Sequence, residues 1–196
     1  MLKLAMSIRA KGLYSEYQIR EKLYSKEASK KVVDYVIKTM KGYDLINDNM
    51  LANDYLEYYN SLNYGKNKIL HKLSEKGIFE VELNKLKFPE SLEKKKAKNI
   101  LKKLENKYAK YNDNQKKQHI YNAYIAYGFD SHVASEMINE VTSNNKSDEL
   151  TKLNIDYQKT KLRLSRKYEG KELKQKIINN LLTKGYRLND IIKIIN

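Results

Sequence analysis

Apolar residues recur along the chain at the spacing expected of packed helices. From Ile69, the pattern continues to Leu73, four residues later, and a second apolar pair, Leu83 and Leu86, lies three residues apart. Residues three or four positions apart share one face of a helix, so each pair predicts a helix with a buried face. Gly77 stands between the two pairs. The segment therefore predicts a helix, a turn and a second helix.

Gly77 marks the turn because glycine readily adopts the left-handed conformation that ends many helices. The next residue, Ile78, supplies the hydrophobic contact that is usual in such a cap. Lys76, just before the glycine, places positive charge at the carboxyl end of the helix dipole. If Gly77 is left-handed, we expect Gly77→Val to lower the free energy of unfolding by about 1 kcal/mol or more.

The same pattern occurs four times along the chain. In the first copy, Glu27 and Ala28 stand where Gly77 and Ile78 stand in the second, so we expect the first turn to differ in detail. The copies are 50, 51 and 57 residues apart, counted between the isoleucines that open the pattern. These four anchor residues are Ile19, Ile69, Ile120 and Ile177.

Capping residues and apolar spacing divide the chain into four predicted repeats of three helices each. Pro89 ends the second repeat, because proline disfavours helix in the residue before it and cannot donate into a continuing helix. A repeat this short cannot bury its own apolar face, so neighbouring repeats must stack. We therefore predict an all-α fold, an elongated and curved array of tandem three-helix repeats. The predicted repeats span residues 1–46, 47–89, 90–143 and 144–196.

Composition excludes several kinds of site. The chain has no cysteine, so it forms no disulfide or thiolate zinc site and has no cysteine nucleophile. No apolar run approaches the roughly 20 residues that span a bilayer, and no signal peptide opens the sequence. We therefore expect a cytoplasmic protein that does not associate with membranes.

The chain is strongly basic. It has 39 lysine and arginine residues against 24 acidic ones, which gives a net charge of +15. Such an excess is expected of proteins that bind phosphate backbones. The chain is also rich in Asn, Tyr and Ile, a mixture that AT-rich coding produces, and codon bias is an equally good explanation of part of the excess. Residues 89–196 carry +10 and residues 1–88 carry +5, so the C-terminal half is the expected polyanion-binding face.

The sequence contains no recognisable catalytic set. None of the three histidines, His71, His119 and His132, lies four residues from another, and a zinc site would need scattered carboxylates. We interpret them as surface or turn residues. No glycine-rich loop of the phosphate-binding type occurs. We therefore expect neither enzymatic activity nor a cofactor nor a bound metal.

Tyrosines cluster on two predicted helices. Stacking of these rings on nucleobases is one interpretation. Core packing with the hydroxyl group at the surface is the interpretation that we favour, because tyrosine combines an apolar body with a polar tip. The residues concerned are Tyr55, Tyr58 and Tyr59 on one helix and Tyr121, Tyr124 and Tyr127 on the other.

Lysines stand at equivalent positions of the predicted repeats, three residues and one residue before the anchors. Stacked repeats place equivalent positions along one side of the array, where these lysines would form a basic stripe. The alternative is that they occupy ordinary exposed helix positions. A long basic helix in the fourth repeat adds three more cations. The residues predicted to contact nucleic acid or a filament are Lys66, Lys68, Lys117, Lys174, Lys176, Arg163, Arg166 and Lys167.

One set of residues in the second repeat has the spacing of a known family. It comprises Ile46-Asn47-Asp48, Ala52, Tyr55, Tyr64-Gly65, Ile69, Leu73 and Lys76-Gly77-Ile78. These residues resemble the hallmark of the RecX family, modulators of the RecA recombinase, and the segment SEYQIREKL that begins at Ser15 resembles the family's first repeat. The third and fourth repeats match by pattern more than by residue identity. We expect no N-terminal extension of the kind that some members carry.

The resemblance implies a regulatory function. RecX proteins are built from tandem three-helix repeats, bind the RecA filament on single-stranded DNA, and alter its ATP hydrolysis and strand exchange, usually as inhibitors. By this resemblance we expect a monomer whose partners are the RecA filament and single-stranded DNA. Two alternatives remain: a helical-repeat protein that binds DNA or RNA without a recombinase partner, and an adaptor for an acidic protein.

Overall fold

A computed structural model describes residues 1–195, which contain twelve helices and no strand. This confirms the all-α prediction. Asn196, the last residue of the predicted fourth repeat, lies outside the described residues. The helices are α1 (Leu2–Ala10), α2 (Glu16–Tyr24), α3 (Lys30–Gly42), α4 (Asp48–Ser61), α5 (Lys66–Glu75), α6 (Glu80–Leu83), α7 (Glu90–Lys107), α8 (Asp113–Tyr127), α9 (Ser131–Glu140), α10 (Lys146–Leu164), α11 (Gly170–Thr183) and α12 (Leu188–Ile195). Within residues 1–195, no helix has the length and apolar character needed to cross a bilayer.

The chain forms two compact units. The first consists of residues 1–96 and 127–130, and the second consists of residues 97–126 and the segment that begins at Ser131. Each predicted repeat contains three helices, but the compact units divide the chain differently. The repeat boundaries therefore stay a prediction.

Each unit has its own apolar core, and the four anchor isoleucines are all buried. In the first unit, helices α1 to α3 enclose one cluster, and helices α4 to α6 enclose a second. In the second unit, helices α10 to α12 enclose a third. Three anchors belong to these clusters, each with the leucine four residues after it: Ile19 and Leu23, Ile69 and Leu73, and Ile177 and Leu181. The third helix adds Val33 and Val36 to the first cluster and Ile191 to the last.

A residue with a left-handed backbone conformation follows the middle helix of each predicted repeat, as the pattern predicted. Gly77 has φ of 72°, and Gly128 and Gly185 have φ of 90° and 89°. Glu27 also has a positive φ, 58°, although it carries a side chain. The amide of Ala28 donates to the Leu23 carbonyl over 3.3 Å, the same bond that Ile78 makes to Leu73 over 3.1 Å. The expectation that the first turn differs is therefore wrong in its geometry, because Glu27 adopts the conformation that glycine adopts elsewhere.

A carboxylate caps the start of each of three middle helices. Asp48, at the start of α4, accepts from the amide of Glu16 over 2.9 Å. Glu93, in the first turn of α7, accepts from the amide of Lys66 over 3.0 Å. Glu149, in the first turn of α10, accepts from the amide of Asp113 over 2.9 Å. The first amides of a helix have no partner within it, so each carboxylate satisfies one of them and meets the positive end of a helix dipole.

We call each contact between such a carboxylate and a helix start a junction. In two of these junctions, a lysine three residues after the carboxylate donates a second hydrogen bond. Lys96 donates to the Tyr64 carbonyl over 2.7 Å, and Lys152 donates to the Tyr111 carbonyl over 2.9 Å. Both acceptors lie just before the capped helix. Lys96 is only 2% exposed, and its ammonium group lies 2.5 Å from the Glu93 carboxylate. We call Glu93 with Lys96, and Glu149 with Lys152, the Glu-x-x-Lys clamps.

The helix starts that receive a carboxylate also meet a glycine turn farther along the chain. Ser15 donates from its hydroxyl to the Lys76 carbonyl over 2.5 Å. The amide of Gly65 donates to the Tyr127 carbonyl over 2.8 Å, and the Asn112 side chain donates to the Lys184 carbonyl over 2.9 Å. A Cβ atom on Gly65 would collide with the backbone of Gly128 and its neighbour. Gly65 is therefore required by close backbone approach.

Gly77→Val is expected to lower the free energy of unfolding by more than about 1 kcal/mol. The left-handed φ disfavours any side chain, and a Cβ atom here would also collide with the ring of Tyr17. Thermal unfolding measures the effect. Gly42→Ala is the control, because no heavy atom lies within 4 Å of the added Cβ there. Equal melting temperatures for Gly77→Val and the parent would contradict this account of the turn.

Glu27→Gly is expected to raise the free energy of unfolding by about 1 kcal/mol, or the melting temperature by about 2 to 4 °C. The substitution removes the Cβ atom from a residue with φ of 58° and relieves local strain. Glu27→Ala, the matched control, removes the carboxylate but keeps the Cβ atom and should leave the melting temperature unchanged. A stabilisation by alanine equal to that by glycine would show that charge, and not backbone strain, matters here.

Glu93→Ala is expected to cost about 3 to 5 kcal/mol, because it leaves the buried ammonium group of Lys96 without its carboxylate. It also leaves the Lys66 amide without its acceptor. Glu93→Gln combined with Lys96→Met should recover most of the loss, since the amide still accepts and the buried charge is gone. Urea unfolding measures all three proteins. A cost below about 1 kcal/mol for Glu93→Ala would exclude a structural role for the clamp.

Candidate nucleic-acid interface

Three lysines of the first unit lie over tyrosine rings, one helical turn apart. Lys68 and Lys72 belong to α5, and Lys76 follows its last residue. The Lys68 nitrogen lies 4.4 Å from the centre of the Tyr64 ring, and the Lys76 nitrogen lies 4.3 Å from that of Tyr55. At these distances a cation is attracted to the face of an aromatic ring. The Lys72 nitrogen lies farther out, 6.0 Å from the centre of the Tyr59 ring.

The rings beneath these lysines form a continuous series. Tyr55 and Tyr59 are nearly parallel, with centres 5.9 Å apart and 16° between their planes. Tyr59 lies 6.0 Å from Tyr64, which lies 6.2 Å from Tyr127. Lys68 also lies 5.6 Å from the Tyr127 ring centre. We call this surface the tyrosine-lysine face; its residues are Tyr55, Tyr59, Tyr64, Tyr127, Lys68, Lys72 and Lys76.

Two neighbouring tyrosines at this face differ in burial. Tyr59 is 7% exposed, and burial raises the pKa of its hydroxyl, an effect that the nearby Lys76 charge partly opposes. Tyr58, in contrast, is 55% exposed, and its ring centre lies 5.3 Å from that of Tyr59. The tyrosine-lysine face therefore has one buried ring and three half-buried rings with cations above them, and the exposed ring of Tyr58 lies beside it.

Backbone contacts fix both ends of the lysine row. At one end, the Lys76 carbonyl accepts from the Ser15 hydroxyl over 2.5 Å. At the other end, Gly128 packs directly against Lys68, and a Cβ atom on the glycine would collide with the lysine amide. The amide of Asn67 donates to the Gly128 carbonyl over 2.9 Å. The ammonium groups thus extend from a backbone that is held by contacts at both ends.

Of the eight predicted contact residues, two lie in the first unit. Lys68 belongs to the tyrosine-lysine face, where it is half-buried. Lys66 is exposed at the start of α5, with its ammonium group 6.0 Å from the centre of the Phe88 ring. Lys66 is the residue whose amide Glu93 caps, so the junction described above also positions this cation.

The other six predicted residues lie in the second unit. Arg163 is in the last turn of α10, and Arg166 and Lys167 follow in the turn to α11; all three are exposed. Lys176 of α11 returns to this turn, with its nitrogen 5.3 Å from the centre of the Tyr168 ring. Lys174 is exposed on the same helix. The structure therefore brings Lys176 to the basic turn that follows α10.

Lys117 has a different setting. It is half-buried and lines a cleft of about 610 Å³ formed by α8, α10, α12 and the segments that join them. Lys146, Arg187 and Lys193 also line this cleft, together with Asp190. Since the predicted lysines divide between two compact units, their alignment in one stripe stays a prediction.

The interpretation of the tyrosines as core residues is correct only in part. Tyr124 is fully buried and donates to the Ala97 carbonyl over 3.0 Å, and burial raises the pKa of its hydroxyl. Core packing is therefore correct for Tyr124 and Tyr59, whereas Tyr58 is open to solvent.

His119 is half-buried, with its ring centre 4.3 Å from that of Tyr111. His119 is thus only partly at the surface.

Sequence reasoning missed Lys72 and most of the tyrosine-lysine face. A signal was present, because lysines at positions 68, 72 and 76 share one helix face. Helical spacing relates each tyrosine only to residues of its own helix. Tyr64 and Tyr127 lie 63 positions apart in the sequence, so their contact could not be read from helical spacing.

The chain is similar in sequence to regulatory proteins of two Streptococcus species. The chain is 32% identical to the regulatory protein RecX of Streptococcus pneumoniae over 192 residues, which covers 90% of the chain and 69% of the relative. It is 29% identical to the regulatory protein RecX of Streptococcus agalactiae over 189 residues, with the same coverage. No family model matches the chain.

Solved structures show the same fold. The crystal structure of RecX from Lactobacillus salivarius superposes with a TM-score of 0.66 at 22% identity, covering 71% of this chain and 93% of that one. A second crystal structure of regulatory protein RecX superposes with a TM-score of 0.65 at 23% identity, covering 71% of both chains. These likenesses agree with the all-helical architecture described above.

Proposed function

Because the chain belongs to the RecX family of regulatory proteins, we propose that it modulates the RecA recombinase by binding RecA filaments on single-stranded DNA. The observation that carries the proposal is the sequence similarity over 90% of the chain, which includes the hallmark residues from Ile46 to Ile78. A family of regulatory proteins also agrees with the expectation that the chain is not an enzyme.

The proposed mechanism is stoichiometric binding. A ligand shifts a filament between two states only to the extent that it binds one state more tightly than the other. A protein that binds the inactive or disassembling state more tightly would slow ATP hydrolysis and strand exchange. Inhibition is the effect that we expect, in keeping with the resemblance described above.

Cations supply the attraction to the nucleoprotein partner. The net charge of +15 favours association with any polyanion, and the attraction weakens steeply as salt rises. We assign the polyanion contacts to the eight predicted cations: Lys66, Lys68, Lys117, Lys174, Lys176, Arg163, Arg166 and Lys167. Among them, the exposed cations around the turn from α10 to α11 are the best grouped in the second unit.

The second candidate function is binding to DNA or RNA without a recombinase partner. The same cations support it, and so do the exposed and half-buried tyrosines. The two functions differ in the relative affinity of the protein for a RecA filament and for a bare strand. A RecA modulator binds the filament more tightly than the bare strand, whereas a general nucleic-acid binder treats the two alike.

Co-sedimentation with RecA filaments, and separately with bare single-stranded DNA, tests the proposal at two salt concentrations. We expect filament binding that persists at the higher salt, where binding to bare DNA is lost. Equal binding to both would favour the second candidate function. Binding to neither would exclude both, and would leave an adaptor for an acidic protein.

The triple variant Arg163→Glu, Arg166→Glu, Lys167→Glu is expected to weaken filament binding at least about tenfold, because it replaces attraction to phosphate by repulsion. The measurement is the protein concentration that half-inhibits RecA ATP hydrolysis. The control is Lys30→Glu, Lys31→Glu, Lys38→Glu, three exposed positions on α3 with the same change in net charge. An unchanged concentration for the first variant, or an equal loss in the control, would reject the assignment of these residues.

A further inference from the structure

The three ammonium groups of the tyrosine-lysine face form a regular row. Lys68, Lys72 and Lys76 are each four residues apart, so they follow one another at about 6 Å along the helix axis. A row of evenly spaced cations matches a polymer whose negative charges also repeat evenly. The ligand that fits this surface is therefore a phosphodiester chain, and a single anion would use only one end of it.

The row is also preorganised. A lysine side chain in solution loses much conformational freedom when it binds a ligand. Here the ammonium groups of Lys68 and Lys76 already lie over tyrosine rings, with the nitrogens 4.4 and 4.3 Å from the ring centres. The hydrogen bond from Ser15 and the packing of Gly128 fix the backbone beneath them. Binding a phosphate chain therefore costs these lysines less entropy than it costs ordinary surface lysines.

Helix α5 offers little negative charge to compete with a phosphate. Its one acidic residue is Glu75, and the Glu75 carboxylate lies 3.4 Å from the His71 ring nitrogen. Asp130, which follows the Gly128 turn, accepts a hydrogen bond from the Asn67 side chain over 2.7 Å. Each of these carboxylates thus has a polar side chain close to it.

An exposed ring beside the row favours a single strand over a duplex. Tyr58 is 55% exposed and lies 5.3 Å from Tyr59, centre to centre. An unpaired base can stack on such a ring, and stacking of this kind is tolerant of sequence. Bases in a duplex are already stacked on each other and do not reach it.

We propose that the tyrosine-lysine face binds single-stranded nucleic acid directly, with Lys68, Lys72 and Lys76 on successive phosphates and Tyr58 against a base. The inference rests on the proposed function, which it deepens by assigning the contact with the strand to the first unit. It adds Lys72, Lys76 and Tyr58 to the residues expected to contact DNA.

The first test measures binding of an oligo(dT) strand by fluorescence anisotropy over a range of salt concentrations. The triple variant Lys68→Gln, Lys72→Gln, Lys76→Gln should bind about tenfold or more weakly at moderate salt, and the slope of log affinity against log salt should fall by about 2. Lys30→Gln, Lys31→Gln, Lys38→Gln on α3 is the charge-matched control and should change the slope by less than about 0.5. An unchanged slope in the first variant, or an equal change in the control, would overturn the proposal.

A variant with arginine at the same three positions guards against a folding artefact. Lys68→Arg, Lys72→Arg, Lys76→Arg keeps the charges over the rings and should keep binding within about threefold. If the arginine variant folds, as judged by circular dichroism, but binds as weakly as the glutamine variant, phosphate contact by these cations is excluded.

The second test concerns the exposed ring. Tyr58→Leu should weaken binding of oligo(dT) about fivefold or more, while Tyr58→Phe should stay within about twofold of the parent. A duplex of the same length should bind both variants as it binds the parent. Equal loss for the duplex, or no loss for the strand, would exclude base stacking on Tyr58.

These tests separate the site from the proposed function. If the parent binds oligo(dT) through the three lysines but does not alter RecA ATP hydrolysis, the site stands and the proposed function fails. If the parent inhibits RecA and the glutamine variant binds oligo(dT) unchanged, the proposed function stands and the site fails.

Discussion

Capping of helix starts by carboxylates from a later helix is the interaction on which the described architecture depends. Asp48, Glu93 and Glu149 each accept from the first amide of an earlier helix. An amide that is buried without an acceptor costs about 1 to 3 kcal/mol, so these contacts specify which helix start meets which carboxylate. Apolar packing alone is tolerant of small shifts in register, whereas a hydrogen bond at a helix terminus is not.

The junctions also show how one structural task is done with different residues. Two of them use a Glu-x-x-Lys clamp, while Asp48 is followed after three residues by Leu51. Burial raises the pKa of Asp48, and the hydrogen bond from the Glu16 amide opposes that rise. Glu16 itself is half-buried, which would raise its pKa, but hydrogen bonds and attraction from Lys41 and Arg20 lower it below its usual value. The first junction thus balances its charges through a surface ion-pair network, and the second balances them through the buried Lys96.

Helical spacing predicts the local part of this fold well and the long-range part poorly. The anchor pairs, the glycine turns and the all-α class follow from residues that lie within a few positions of each other. The left-handed Glu27 was missed because its conformation is imposed by the surrounding turn and not preferred by its own side chain. The clamps were missed because Lys96 and Tyr64 lie 32 positions apart, and no local periodicity reveals such a partner.

The candidate interface also depends on contacts between residues that are distant in the sequence. For this reason, net charge and side-chain contacts point to different surfaces. Counting favoured residues 89–196, which carry the larger net charge. Affinity for a phosphate chain depends on more than the number of cations, because each flexible side chain loses entropy on binding. The ammonium groups of Lys68 and Lys76 already lie over tyrosine rings, so we expect fewer cations to give an equal affinity there. Because the proposed contact with a phosphate chain is electrostatic, we expect it to weaken as the salt concentration rises.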